Sequence, residues 1–294
     1  MNYIGSKFSI LNFIDDTVKK FCKLDKEDIT FCDIFSGTGA VGKHFKKKGY
    51  NIISNDIEVY SYITAKHFIG NNGSLEFAGL RDRGIGDVFA YLNELEGQEG
   101  FIYNNYSMAG TRGKEYERQY YSDENAKKID AIRMKIQEWK EQVFLSEEEE
   151  CFLIASLIES ADKVANTASV YEAFLKKLKA SALKPLILEP VDILISEKNK
   201  RYRVYNMDSN VLIREISGDI LYLDPPYNSR KYDTNYHLLE TIALYDNPEI
   251  RGKTGVRCEA GKRSKYCLNR EASQAFEELI REANFRYILL SYND

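Results

Sequence analysis

The feature that most restricts the fold is the run Asp33-Ile-Phe35-Ser-Gly37-Thr-Gly39-Ala-Val-Gly42, which carries the spacing G-x-G-x-x-G. Ahead of it, Ile29 to Phe35 is a short apolar run, the pattern of a strand buried on both faces. Behind it, Val41 to Lys48 reads as a helix whose last turn is basic, where cations suit the dipole. A second strand, Asn51 to Ser54, closes on Asn55-Asp56, 19 residues beyond Gly37. Glycines between a strand and a helix let the backbone pass close to a ligand, and the acid ending the next strand is placed to hold ribose hydroxyls.

The rest of the chain fits a parallel sheet interrupted by another texture. Lys7 to Phe21 has helical spacing, and strand patterns return at Tyr202 to Asn206, Ile220 to Leu223 and Arg286 to Ser291, the last preceded by a helix over Phe276 to Ala283. Between the two ends, Ala126 to Val143 steps by three and four. Capping boxes at Ser146/Glu149 and Ser169/Glu172 open two more predicted helices, Glu147 to Val164 and Val170 to Leu183, the second stopped by Pro185. The expectation is one α/β domain made of residues 1–72 and 201–294, split by a mostly helical insert, 73–200.

Asp33 argues about the ligand. A dinucleotide fingerprint has an apolar residue there, whereas S-adenosylmethionine has no pyrophosphate and carries an ammonium that a carboxylate can pair with. Asp33, Phe35, Gly37 and Gly39 are therefore the expected cofactor loop; a tight turn with an N-capping Asp is the plainer alternative. The second motif, Leu221-Tyr-Leu-Asp224-Pro225-Pro226-Tyr227-Asn228, stands at the carboxyl end of a strand, where open α/β sheets bind ligands. Pro-Pro fixes two φ angles and offers no backbone donor, so a rigid extended segment presents a carboxylate, a carbonyl and a ring to one pocket. The exocyclic nitrogen of adenine is a poor nucleophile because its lone pair is delocalised. Asp224 and the Pro225 carbonyl can each accept one of its hydrogens while Tyr227 stacks on the base, leaving catalysis to positioning and electrostatics. A base inside a duplex is out of reach, so the target is flipped out or unpaired. A plain Pro-Pro turn is the alternative reading.

With both motifs in chain order, the sequence resembles the N6-adenine-specific DNA methyltransferases with DPPY at the catalytic strand, similar to those of restriction–modification systems. The resemblance rests further on Asn2-Tyr3-Ile4-Gly5-Ser6-Lys7 at the N-terminus and Asp208 in Tyr205-Asn-Met-Asp-Ser. Within the insert it rests on Phe101-Ile-Tyr-Asn-Asn-Tyr and Ala161-Asp-Lys-Val-Ala-Asn-Thr-Ala-Ser. It implies a Rossmann-like methyltransferase sheet and S-adenosylmethionine as cofactor. Tyr3, Lys7, Asp56, Asp208 and Asp224 would line the cofactor pocket, with Asp224, Pro225, Pro226 and Tyr227 catalytic. No metal is implied. Family members usually continue past the strand at Ile288 to Ser291 with a final β-hairpin, so the sequence is expected to lack its last strands.

A net charge of -4 excludes a uniformly basic polyanion binder, but Arg251 to Arg270 holds seven basic residues against the single Glu259. With three glycines it reads as a mobile loop, and Arg251, Lys253, Arg257, Lys262, Arg263 and Lys265, together with Arg230 and Lys231 beside Tyr227, are expected to contact the phosphates of double-stranded DNA. A second candidate surface interleaves Tyr103, Asn104, Asn105, Tyr106, Arg112, Lys114, Tyr116, Arg118, Tyr120 and Tyr121; these types read or stack on bases, or pack the insert. His44 and His67 read as surface or packing residues, and His237 as near the site but unneeded. Five scattered cysteines with no C-x-x-C pair speak against a disulfide framework or structural zinc. No run approaches a membrane span, and the N-terminus lacks a secretory signal, so a reducing cytoplasm is expected. A cognate restriction endonuclease is the implied partner. An RNA or other amino-group methyltransferase, a non-catalytic DNA-binding fragment of a split enzyme and, remotely, an NAD oxidoreductase are the alternatives; the oligomeric state is open.

Overall fold

The computed structural model describes residues 7–24, 27–168, 170–196, 199–226, 232–258, 264–268 and 270–291. The chain divides into two compact units, one comprising 5–73, 193–232 and 261–294 and the other 74–192 and 233–260. The first is built on five parallel strands: β1 Thr30–Asp33, β2 Asn51–Asn55, β3 Tyr202–Tyr205, β4 Ser217–Leu223 and β5 Asn284–Leu290, in the order β3-β2-β1-β4-β5. The chain winds from β1 outward to β3, then crosses to the other side of β1 for β4 and β5. The reversal falls between β1 and β4, and ligands bind beyond the carboxyl ends at such a point. Asp33 ends β1 in register with Tyr222, and Asp224 follows β4 directly, so both acids stand on neighbouring strand ends.

Side chains alternate across a strand, and this sequence uses both faces. Phe31, Ile52, Ile220 and Tyr222 pack with Ile14 and Val18 of helix α1 (Leu11–Phe21), Val41 and Phe45 of α2 (Ala40–Lys47), and Ile69. Their neighbours Cys32, Ile53, Leu221 and Leu223 turn the other way, onto Leu212, Ile213, Ile216 and Leu279. The result is a three-layer α/β sandwich, the expected class. After α3 (Val59–Ala65) the chain makes one turn of π-helix, Lys66–Gly70. Fully buried Lys46 of α2 ties that turn down, donating from Nζ to the carbonyls of Phe68, Ile69 and Asn71 at 3.2, 3.0 and 2.5 Å.

In the second unit, α4 (Asp123–Glu141) and α5 (Glu147–Val164) each start from a serine N-cap, Ser122 and Ser146, the latter with the full capping box to Glu149. The helix predicted over Ala126 to Val143 begins earlier and stops at Glu141, and Val143 takes a left-handed φ of 58°. The helix predicted over Val170 to Leu183 does not form, and Ser169 lies outside the described residues. Side-chain bonds compete with it: Asn166 donates to the carbonyls of Gln119 and Leu175 and accepts from Lys179 N–H. Buried Tyr171 meanwhile donates its own N–H to Asn235 O.

Residues 233–260 group with 74–192, not with the sheet, because α6 (His237–Leu244) is tied to α4. Buried Arg133 of α4 donates to the carbonyls of Ile242 and Ala243 at 3.0 and 3.1 Å, capping α6. Asp130, one turn earlier, accepts from the N–H groups of Gly100, Ile102 and Tyr103 and from Tyr245 Oη. The stretch expected as a mobile loop instead holds an antiparallel hairpin, Ile250–Arg251 with Val256–Arg257, and a 3-10 turn, Lys265–Cys267. Among the described residues no helix is long and apolar enough to cross a membrane.

Candidate active site

The site assembles at the carboxyl ends of β1, β2 and β4. Ser36 N–H bonds to Asn55 O at 2.9 Å, turning the chain back over β2. Gly37 and Gly39 follow at φ 50° and 68°, a region that side-chain-bearing residues avoid, and Gly39 leads directly into α2. Gly37 N–H donates to Asp56 Oδ2 at 2.7 Å and Glu58 N–H to Asp56 Oδ1 at 2.9 Å, so Asp56 sets the glycine turn as well as facing it. Asn55 is a staple: its amide donates to Ile34 O and Met207 O, and its oxygen accepts from Met207 N–H, joining the ends of β1, β2 and β3. Asp208, just beyond β3, caps the turn Ser209–Leu212 by accepting from Asn210 and Val211 N–H.

Across the reversal, Asp224 Oδ2 meets Lys7 Nζ at 2.5 Å, with Pro225 buried and Pro226 half-buried behind it. Phe35 packs edge-on against Tyr266 at 5.0 Å between ring centres, and Tyr266 Oη donates to Asn210 Oδ1 at 2.7 Å. These contacts make an aromatic wall beside Asp208. Neither Asn55 nor Tyr266 was picked out from sequence as a site residue. Asn55 was marked by its place before Asp56 at a strand end, and Tyr266 carries no local signal.

Electrostatics single out the acids. Burial, reinforced by the charges of Asp224 and Asp56, pushes the Asp33 carboxyl up to about 8, against the opposing pull of Lys7 and a backbone bond from Gly42. Burial also raises Asp224, opposed by Lys7 and by the Ser291 hydroxyl, and raises Asp56, opposed by the N–H groups of Glu58, Gly37 and Ile57. Asp33 Oδ1 and Asp224 Oδ1 are buried with no hydrogen-bond partner among the described residues. Buried polar atoms are normally satisfied, so two orphaned oxygens on adjacent strand ends mark a place built for donors or positive charge that a ligand brings.

The chain matches the family model for D12 class N6 adenine-specific DNA methyltransferases over residues 3–293. It belongs to that class. Its reaction is thus site-specific methyl transfer from a methyl donor to N6 of adenine in DNA. Along its full length it is 50% identical to the type II methyltransferase M.NlaIII of Neisseria lactamica, of which it covers 84%. It is 44% identical to the type II methyltransferase M.FokI of Planomicrobium okeanokoites, of which it spans only 44%. To the type II methyltransferase M.CviAII of Paramecium bursaria Chlorella virus 1 it is 33% identical, covering 83% of that chain. No solved structure matches.

In this methyltransferase the sheet unit brings together Lys7, Asp33, Phe35, Gly37, Gly39, Asp56, Asp208, Asp224, Pro225 and Pro226. Tyr3, Tyr227, Arg230, Lys231, Lys262 and Arg263 lie outside the described residues. Arg251, Lys253 and Lys265 are exposed. Arg257 is not available as expected: it is buried, and its guanidinium forms two bonds to Asp246, at 3.2 and 2.8 Å. The tyrosine-rich surface is divided: Asn104, Arg112 and Lys114 are exposed and Tyr103, Asn105 and Tyr116 half-buried, while the rest forms a core. Tyr106, Tyr120 and Tyr121 are fully buried and Arg118 is 6% exposed. His237 sits in that core against Tyr106 and Tyr120, where burial lowers its imidazole to about 4. Among the described residues no group of His, Cys, Asp and Glu is arranged to hold a metal ion.

Proposed function

We propose that the methyl donor is S-adenosylmethionine and that the acceptor is an adenine flipped out of double-stranded DNA. The observation that carries this is the pair of orphaned oxygens, Asp33 Oδ1 and Asp224 Oδ1, at the winding reversal. Asp33 pairs the donor's ammonium, Asp56 its ribose hydroxyls, and Asp208 and Phe35 border its adenine, with Gly37 and Gly39 admitting it close to the backbone. The donor, when bound, supplies a methyl group activated by a sulfonium.

The protein's own part is orientation. Lys7 holds Asp224 Oδ2, favouring the ionised carboxylate against the effect of burial and fixing its plane. Oδ1 is then left to accept one N6 hydrogen, and the Pro225 carbonyl accepts the other. Both acceptors draw the nitrogen lone pair out of conjugation along the line of transfer, and the proton shed by N6 has Asp224 Oδ1 beside it. Tyr227 stacks on the base. Arg230, Lys231, Arg251, Lys253, Lys262, Arg263 and Lys265 meet DNA phosphates, and residues 73–200 supply sequence discrimination. On this reading the cellular counterpart is a cognate restriction endonuclease and the setting is the cytoplasm, where the DNA is.

The test is to incubate the protein with methyl-labelled S-adenosylmethionine and unmethylated DNA, then digest to nucleosides. Label is expected in N6-methyldeoxyadenosine, and lost with Asp224→Ala. Label confined to cytosine, or near-normal turnover in the variant, refutes the assignment.

A further inference from the structure

We propose that the tip of the hairpin Ile250–Arg251/Val256–Arg257 is a docking site for a DNA backbone phosphate, shaped from below by Arg118 as its positioning residue. The proposal rests on the reading of Arg251 and Lys253 as DNA contacts and extends it to the backbone and to a buried side chain.

The hairpin has only two pairs in register, Ile250 with Arg257 and Arg251 with Val256, and so short a ladder is marginal by itself. Its turn is held by groups beneath it. Arg118 donates from Nη2 to Gly252 O at 2.9 Å, from Nε to Lys253 O at 3.1 Å, and from Nη1 to Asn105 O at 3.3 Å. Tyr106 Oη donates to Gly255 O at 2.8 Å. Gly255 is obligatory: its φ is 67°, and a Cβ there would stand 2.8 Å from Arg118 Nε and 3.1 Å from Tyr106 Cε1.

This arrangement has a consequence for the outer face. A trans peptide sets C=O and N–H on opposite sides, so carbonyls of Gly252 and Lys253 turned inward send the N–H groups of Lys253 and Thr254 outward. Neither amide meets an acceptor among the described residues. Successive outward amides form an anion-binding concavity, flanked here by the exposed side chains of Arg251 and Lys253. Beneath it lies the Arg118 charge, 6% exposed and paired with no carboxylate among the described residues. A buried cation without a counter-charge is costly, and an anion at the tip supplies one. Asp246 does not: its carboxylate is held by Arg257. Two adjacent amides flanked by Arg251 and Lys253 offer only donors and positive charge, which match the compact anionic oxygens of a phosphate, and the occupant is a phosphate.

The experiment measures binding of double-stranded DNA by fluorescence anisotropy across a salt series, with and without the methylation site. Lys253→Ala, an exposed change, should make the slope of log K against log salt shallower by about 0.9, the increment of one phosphate contact. The wild type then loses about three- to fourfold more affinity than the variant over a fourfold rise in salt, equally on both DNAs. Arg118→Lys keeps the charge but not the fork, and should lose the same increment while binding S-adenosylmethionine normally. Should Arg118→Lys not fold, Tyr106→Phe, which removes only the hydroxyl under Gly255, takes its place with the same expectation. An unchanged slope in Lys253→Ala, or an altered sequence preference at unchanged slope, overturns the phosphate site. A wild-type slope in the folded positioning variant overturns the role of Arg118.

Discussion

Asp33→Asn should make the ligand-free protein more stable at neutral and alkaline pH while weakening its hold on S-adenosylmethionine. Asp33 is 2% exposed, lies near two other acids, and is raised from 3.8 to about 8. An acid whose folded value is raised binds its proton in the folded state over a window, here pH 3.8 to about 8, in which the unfolded chain has lost it. Stability contributed by this group is therefore present at low pH and falls as pH climbs through that window. At about 1.4 kcal/mol per unit, tapering as pH reaches the folded value, the fall between pH 6 and 8 is roughly 2 kcal/mol, a large fraction of an ordinary folding free energy. Asparagine keeps the shape and titrates not at all, so the gap between variant and wild type should widen by that amount, read as thermal midpoints across the series. Pairing with the donor's ammonium ionises Asp33 and releases a proton. Calorimetry at pH 7 in two buffers of different ionisation enthalpy should count about one proton released on binding to the wild type and none with Asp33→Asn, which binds more weakly. Parallel stability profiles, or no proton released by the wild type, would refute the assignment of a protonated Asp33 awaiting a cation.

Lys46 shows the opposite linkage: burial lowers it to about 8, so the unfolded chain binds the extra proton up to 10.5 and stability gained from this group rises with pH in that window. Lys46→Met should abolish a rise of roughly 3 kcal/mol between pH 8 and 10.5, measured by denaturant titration at each pH; a variant that keeps the wild-type slope would show that the charge is settled elsewhere. Gly42→Ala would put a Cβ 2.6 Å from Ile69 Cδ1. It should cost about 1–3 kcal/mol, mostly recovered by adding Ile69→Val, which deletes that atom. Strict additivity of the two changes in a double-mutant cycle would disprove the contact.

What was legible in the sequence was what neighbouring residues decide. The apolar run into Gly37 and Gly39, the acid at Asp56, the Ser146/Glu149 box and the strand before Asp224-Pro225 are each local signals, and each produced the expected element. The segment after Ser169 had a local signal too, but the amide of Asn166 and the N–H of Tyr171 take partners at Gln119, Leu175 and Asn235, and those distant acceptors win. Asp33 was read as a carboxylate waiting for an ammonium. That its pocket favours the protonated form depends on three strand ends converging, which only the sheet order reveals.

The basic stretch after α6 carries the same lesson for charge. In sequence Arg251, Lys253 and Arg257 are equivalent, three cations among glycines. The hairpin separates them: Arg257, paired with Ile250, turns inward to Asp246, whereas Arg251, one step along its strand, and Lys253, in the turn, stay in solvent. Arg118, 135 residues before Lys253, was grouped with candidate base readers, yet its planar fork is spent on turn carbonyls. A guanidinium committed to carbonyls keeps its full positive charge, whereas one committed to a carboxylate is neutralised. Arg118 therefore remains electrostatically available to an anion that it never touches. Arg257, one strand away and as deeply buried, does not.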